Sequence, residues 1–252
     1  METINIVLVL VFIILVLCIY ILHKVKRVHL MQYGLQQQVE RFPDNVRQVH
    51  AFIDLNRLLQ LPWSLPPLGG WAASADFLLL LAEYVLQHQP EVIVECSSGT
   101  STLVLAQCAK LNGKGRILSL EHDVIYAEKT RQELIKQGLQ DWATVIDAPL
   151  QDYRFNEQNY CWYTLGEQIQ NQVIDMLIID GPPASLNSCA RYPAGPLLLP
   201  LLNKKAVVFL DDSDRPDEQQ IIKNWLNEFP GLQKKVHYCE KGAVSLINGL
   251  KI

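Results

Sequence analysis

Five acidic residues stand out because they close four short apolar runs. Glu95 follows residues 92–94, Glu121 ends residues 116–121, Asp180 follows residues 173–179, and Asp211-Asp212 follow residues 206–210. A carboxylate in such a place accepts hydrogen bonds, holds a hard cation or takes up a proton. Three that converge, as Asp180, Asp211 and Asp212 would at one sheet edge, repel one another unless a cation or a proton intervenes. Directly after Glu95 come Cys96-Ser-Ser-Gly99, all small, where the backbone must turn sharply and let something approach. Thr100, Ser101 and Thr102 can cap a helix over 103–110. A strand, a small-residue turn and a helix N-terminus make a site for a negatively charged or nucleotide-like ligand, because free N–H groups point out of the turn. An ordinary βα turn looks the same in isolation, so the remaining elements must decide.

Those elements alternate. Residues 92–94 are the β-branched run of a buried parallel strand. Gly113 and Gly115 break the following helix, and residues 116–121 read as a second strand. Glu121 stands some twenty residues past the turn, where a doubly wound sheet places the acid that accepts hydrogen bonds from ribose hydroxyls; an exposed strand-end Glu is the plain alternative. Residues 124–138 read as a helix with a glycine stop, and residues 143–146 as strand three, with Asp147-Ala-Pro-Leu150 turning after it. Residues 151–172 are polar and aromatic and read as an irregular excursion. Strand four covers 173–179, and Asp180-Gly-Pro-Pro183 follows; Asp180 faces the same edge as Glu95 and Glu121, or is merely a turn former. Residues 185–193 read as a loop containing Arg191 and Tyr192, 197–202 as a short helix, 206–210 as strand five, and 218–229 as a helix. Residues 234–239 and 243–247 have hairpin spacing around Glu240-Lys-Gly242, so the sheet closes with an antiparallel pair.

The rest of the chain frames this domain. Residues 6–22 lack charged side chains, enough to nearly cross a hydrocarbon core of about 30 Å. The short acidic start and the bulky end of the run do not fit a cleaved signal peptide. Lys24, Lys26 and Arg27 follow, which predicts a single-pass anchor with everything after it in the cytoplasm; a buried core helix is the alternative. Residues 1–27 are therefore read as anchor and basic flank, 28–70 as a helical stalk interrupted by Pro43 and ending in a Pro/Gly-rich linker, and 71–252 as the catalytic-type domain. Ser74 is a plausible N-cap for a helix over 75–87. Trp71 either covers a ligand at the mouth of the sheet or packs the linker. The net charge of −4 over 252 residues and the missing basic stripe predict no nucleic-acid partner. Six cysteines without Cys-x-x-Cys or metal spacing read as reduced thiols. Nothing in the pattern fixes an oligomeric state.

Five βα units and a terminal hairpin predict an α/β, doubly wound, mostly parallel seven-stranded sheet. At this point the chain resembles the class I S-adenosylmethionine-dependent methyltransferases, and most closely the methyltransferase domain 24 family, with kinship to small-molecule O-methyltransferases. The resemblance rests on Glu95-Cys-Ser-Ser-Gly-Thr-Ser-Thr102, Glu121, Ala148-Pro-Leu150, Trp162-Tyr163, Asp180-Gly-Pro-Pro183 and Asp211-Asp-Ser-Asp-Arg-Pro-Asp-Glu218. It implies S-adenosylmethionine as cofactor, with Glu95, Ser97, Ser98, Gly99 and Ser101 at its methionine part, Glu121 and its neighbour His122 at the ribose, Asp147, Ala148, Pro149 and Leu150 bordering the adenine, and Asp180 also in reach. It implies Asp180 and Asp211 as catalytic residues, and Asp180, Asp211 and Asp212 as ligands of a Mg²⁺ that would orient a small-molecule, lipid or glycan hydroxyl. The plainer reading of these acids has Asp180 at the cofactor's amino group and Asp211 and Asp212 capping a helix or pairing with Arg215. Two departures from the family pattern stand out: Ser97 replaces a usual glycine, and Pro183 stands where those enzymes often carry a lysine base. Two other functions stay open, a non-catalytic binding or scaffolding module and a nicotinamide-dependent reductase; the terminal hairpin and the missing Gly-x-Gly-x-x-Gly disfavour the latter.

Overall fold

The structure is a computed structural model that describes residues 2–68 and 72–249. The chain divides into two compact units, Met1–Arg47 and Gln48–Ile252. Trp71, with both roles considered for it, lies outside the described residues.

Helix α1 covers Glu2–Leu59. In the first unit its stretch Ile4–Gln36 is long and apolar enough to cross a membrane, by length and composition, and none of it is buried. The helix carries on through Pro43, where the sequence suggested an interruption. The proline removes one backbone N–H from the ladder, and the turns on either side persist.

In the second unit the last turns of α1 are core. Ala51, Leu55 and Leu59 repeat every fourth residue and are buried, the spacing of one helical face. Gln107 Nε2 donates to the Leu59 carbonyl at 3.1 Å, satisfying an orphan acceptor at the helix end.

The elements then follow in order: α2 (Ala75–His88), β1 (Val92–Cys96), α3 (Thr100–Asn112), β2 (Arg116–Glu121), α4 (Val124–Lys136), β3 (Ala143–Asp147), β4 (Leu150–Phe155), β5 (Gln158–Tyr163), α5 (Glu167–Gln170), β6 (Ile174–Ile179), α6 (Ala194–Leu198), β7 (Leu202–Asp211), α7 (Pro216–Glu228), β8 (Leu232–His237) and β9 (Ala243–Asn248). Seven strands form one sheet in the order β3-β2-β1-β6-β7-β9-β8. β1, β2, β3, β6 and β7 run parallel, and β9 enters antiparallel between β7 and β8. This is the expected doubly wound sheet with its closing hairpin. Neighbouring residues in a strand face opposite layers. Ile93 and Ile117 join Phe77, Leu81 and Val104 on one face, while Val94 and Leu118 join Trp162, Leu177 and Trp225 on the other.

Two local expectations are corrected. Residues 151–172 are mostly ordered as a β4–β5 hairpin, paired from Leu150↔Tyr163 to Phe155↔Gln158, followed by α5. Its two-residue turn, Asn156-Glu157, has both φ values positive, 48° and 67°, the geometry of a type I′ turn. Glutamate in place of the usual glycine hides that turn from a sequence reading. Second, Ser74 precedes α2 as predicted but makes no capping bond with its side chain; Asp76 Oδ1 accepts from the Phe77 N–H instead, at 2.9 Å.

Candidate functional site

Strand order reverses between β1 and β6: β2 and β3 lie to one side, and β7 and the hairpin to the other. At such a switch point the connections leave in opposite directions and open a crevice beyond the carboxyl ends of the strands. The segments after β1, β2, β3, β6 and β7 all end at that edge, and they carry the residues singled out above.

The turn after β1 is held from below by Glu95. Its side chain is fully buried, and Oε2 accepts from Thr102 Oγ1 at 2.7 Å and Ser119 Oγ at 2.6 Å. Glu95 thus sits beneath the turn, one layer inside the ligand-facing surface where the resemblance put it. Burial raises its carboxyl to about 7, against the pull of these hydroxyls. Ser97 takes φ +118°, a region that an L side chain enters only at a cost. Gly99 is at φ +148° and donates its N–H to Thr102 Oγ1 at 3.0 Å.

Glu121 clamps the same turn from the side. Oε2 accepts from the Ser98 N–H and from Ser98 Oγ, both at 3.0 Å. Oε1 accepts from the N–H groups of His122 and Asp123 at 2.9 and 3.0 Å. A carboxylate offers about four acceptor sites, so Glu121 is saturated. Of its four donors one can rotate away: Ser98 Oγ lies 3.2 Å from Thr130 Oγ1 and has a second partner there. His122 is half-buried, with its ring 5.9 Å from that of Tyr163.

The turn after β3 is tied to both neighbours. Ala148 N–H donates to the Glu121 carbonyl at 2.8 Å, and the Pro149 carbonyl accepts from Thr164 N–H and Oγ1. Leu150 opens β4. Asp147 is exposed and held by Arg131 at 2.6 Å, which turns its charge toward α4.

Asp180, Asp211 and Asp212 meet as predicted, with ligand-type oxygens all within 4.8 Å of one another. The intervening cation is a residue the sequence reading left in a loop. Arg191, 3% exposed, donates from Nη2 to Asp212 Oδ2 at 2.7 Å, to Asp180 Oδ1 at 3.3 Å and to the Asp180 carbonyl at 2.9 Å. Its Nη1 donates to the Asp211 carbonyl at 3.1 Å, and its Nε faces Glu218 at 3.7 Å. Arg215 pairs with Asp212 at 2.9 Å, as the plainer alternative held. A proton intervenes too. Neither Asp211 carboxylate oxygen has a partner, and burial with the adjacent Asp180 and Asp212 raises its carboxyl to about 8. Burial also lifts Asp180, to about 6, against the pull of Arg191. Asp180 alone of the three keeps some exposure, 16% for its side chain.

This donor set does not fit a resident divalent cation. The guanidinium already sits among the carboxylates, and Asp212 Oδ2 is shared by two arginines. Tyr163, one of the residues that carry the resemblance, ends β5, and its buried ring lies where a Cβ on Gly181 would strike its hydroxyl. A lone arginine in a connecting loop carries no spacing signal that separates it from a surface residue.

The strand order, switch point and clamped turn define the class I methyltransferase fold. Residues 94–213 match the family model described as a methyltransferase domain. Among solved structures, the chain is similar to an O-methyltransferase from Bacillus cereus in complex with SAH (17% identity, TM-score 0.53, covering 80% of this chain and 90% of that one). It is also similar to the SAH-bound Podospora anserina methyltransferase PaMTH1 (15%, 0.53, 78% and 86%) and to a methyltransferase from Geobacter sulfurreducens (14%, 0.54, 84% and 96%). None of the curated proteins matches. Residues 94–213 are thus similar to a methyltransferase domain, and the fold is the one the resemblance implied.

Proposed function

We propose that this chain is a membrane-anchored methyltransferase that uses S-adenosylmethionine to methylate a hydroxyl of a small molecule, lipid or glycan, with its domain facing the cytoplasm. The observation that carries it is the turn 97–99, clasped by Glu121 and opening beside Asp180 at the switch point. The bound cofactor would supply a methyl group on a cationic sulfonium. The chain's own groups do the rest. N–H groups at the start of α3 would meet the charged end of the cofactor. Ser98 Oγ swings to Thr130 and frees one acceptor site on Glu121 for a ribose hydroxyl. Asp180, partly exposed and fixed by Arg191, accepts a hydrogen bond from the acceptor hydroxyl and takes its proton; a carboxyl raised to about 6 is better matched to that task than an ordinary one. Asp211, buried behind it, keeps the edge from carrying a further negative charge. The apolar run 6–22 and the basic residues Lys24, Lys26 and Arg27 after it support the anchor and its orientation.

The test is calorimetry of S-adenosylhomocysteine with the full chain in detergent, followed by incubation with labelled cofactor and membrane extract to find what becomes labelled. A second reading, a non-catalytic binding module, is favoured by the strained Ser97 and the saturated Glu121. Absence of cofactor binding would support that reading instead.

A further inference from the structure

We infer that Arg191 is the built-in cation of the strand-end carboxylate cluster, and that it excludes a divalent metal from this site. The cluster sits where metal-dependent relatives would need Mg²⁺, so the inference deepens the reading above; its test uses metal uptake and no turnover, so either can fail alone.

Charge and position exclude the metal: a guanidinium already stands among the carboxylates, although Asp211 Oδ1 and Oδ2, Asp212 Oδ1 and Glu218 Oε2 accept no hydrogen bond. Asp180, Asp212 and Glu218 bring three carboxyl groups to one buried spot, and Arg191 faces all three at 3.3, 2.7 and 3.7 Å. Arg215 adds a second positive charge at Asp212. A planar guanidinium with five donors can meet several carboxylates at once and cannot lose its proton. Mg²⁺ demands near-octahedral oxygen coordination and keeps several waters. Here its approach would bring it against the Arg191 guanidinium in a poorly screened site, where like charges repel strongly. Arg191 is also anchored by the backbone: the carbonyls of Asp180 and Asp211, the residues that follow β6 and end β7, both accept from it. Swinging it aside to admit a metal would leave those two carbonyls and the Asp180 carboxylate without this donor, and Asp212 with Arg215 alone. The guanidinium therefore holds the ends of β6 and β7 together.

The experiment is uptake of Mn²⁺ by the full chain in detergent, read from the loss of the free-ion electron paramagnetic resonance signal. Wild type and Asp180→Asn are compared with Arg191→Met and Arg191→Lys. The expected result is that wild type takes up no more Mn²⁺ than Asp180→Asn, with any binding weaker than about 1 mM. Arg191→Met is expected to bind at least ~10-fold more tightly and to show a melting temperature that rises with added Mn²⁺, while Arg191→Lys behaves as wild type. Stoichiometric uptake by wild type that Asp180→Asn abolishes would overturn the inference, and so would a folded Arg191→Met that gains no affinity. If Arg191→Met does not fold, the wild-type and Asp180→Asn comparison decides.

Discussion

Glu121 Oε2 accepts both the backbone N–H and the hydroxyl of Ser98, each at 3.0 Å. One carboxylate oxygen thus holds the turn after β1 against the end of β2, and the ligand-binding role proposed for Glu121 cannot be separated from its structural one. Glu121→Ala would leave the N–H groups of Ser98, His122 and Asp123 without their acceptor. The expected outcome is a loss of ~1–3 kcal/mol in stability, since orphaned buried donors carry that penalty, together with weaker S-adenosylhomocysteine binding. Ser98→Ala keeps the three backbone bonds and should leave stability nearly unchanged. It also empties one acceptor site on Glu121, so cofactor binding should hold or tighten. Denaturant titration and calorimetry on the same samples separate the two effects. Weaker binding by Ser98→Ala would count against the rotating-hydroxyl account.

Ser97 sits at φ +118°, where glycine carries no steric penalty. Ser97→Gly should raise stability by about 1 kcal/mol, the strain relieved outweighing the added freedom of the unfolded chain. Cofactor affinity should be equal or higher. A fall in the melting temperature would show that the serine side chain makes a contact worth more than its strain.

A Cβ on Gly181 would collide with the Tyr163 hydroxyl and come within 3.1 Å of the Cys96 carbonyl and Ser97 Cβ. Gly181→Ala should therefore destabilise by ~1–3 kcal/mol, the usual penalty of overpacking. Removing the hydroxyl in the double variant Gly181→Ala, Tyr163→Phe should recover part of it. A double variant no more stable than Gly181→Ala would place the clash on the turn backbone alone.

Asp211 takes up a proton more readily in the folded chain than in the unfolded one. Between its ordinary value of 3.8 and about 8 the folded state binds more protons, so this group's contribution to stability is lost as pH rises through that window. Glu95 acts in the same direction between 4.5 and about 7. Asp211→Asn, which copies the protonated form, should flatten the fall. Unfolding midpoints from about pH 5 to about pH 8, the span that contains most of the shift, give the comparison. A slope identical to wild type would mean that Asp211 is ionised when folded.

The anchor proposal predicts that a reporter fused after residue 252 lies on the cytoplasmic side, because Lys24, Lys26 and Arg27 follow the apolar run. Its protection on the opposite side would reverse the assignment.

The sequence by itself determined the alternation of strands and helices, the parallel sheet with its antiparallel end, and the acids at strand ends. Apolar runs of strand length, glycine stops and the small-residue turn are local signals, and they survive folding because each element obeys its own periodicity. The convergence of Asp180, Asp211 and Asp212 followed from topology alone, since parallel strands finish at one edge. What filled the space among them was decided by tertiary structure. Arg191 reaches the cluster from the segment between β6 and α6, and no spacing rule links a loop arginine to carboxylates at the ends of two strands. Glu95 likewise kept its place in the chain but turned inward, because Thr102 and Ser119 offered hydroxyls on the buried side. The β4–β5 hairpin escaped a local reading because its turn is Asn-Glu, and its strands carry side chains whose partners become visible only once Tyr160 and Trp162 are packed in the core. Burial and the charges that burial forces together depend on the whole fold, and no local pattern in the chain displays them.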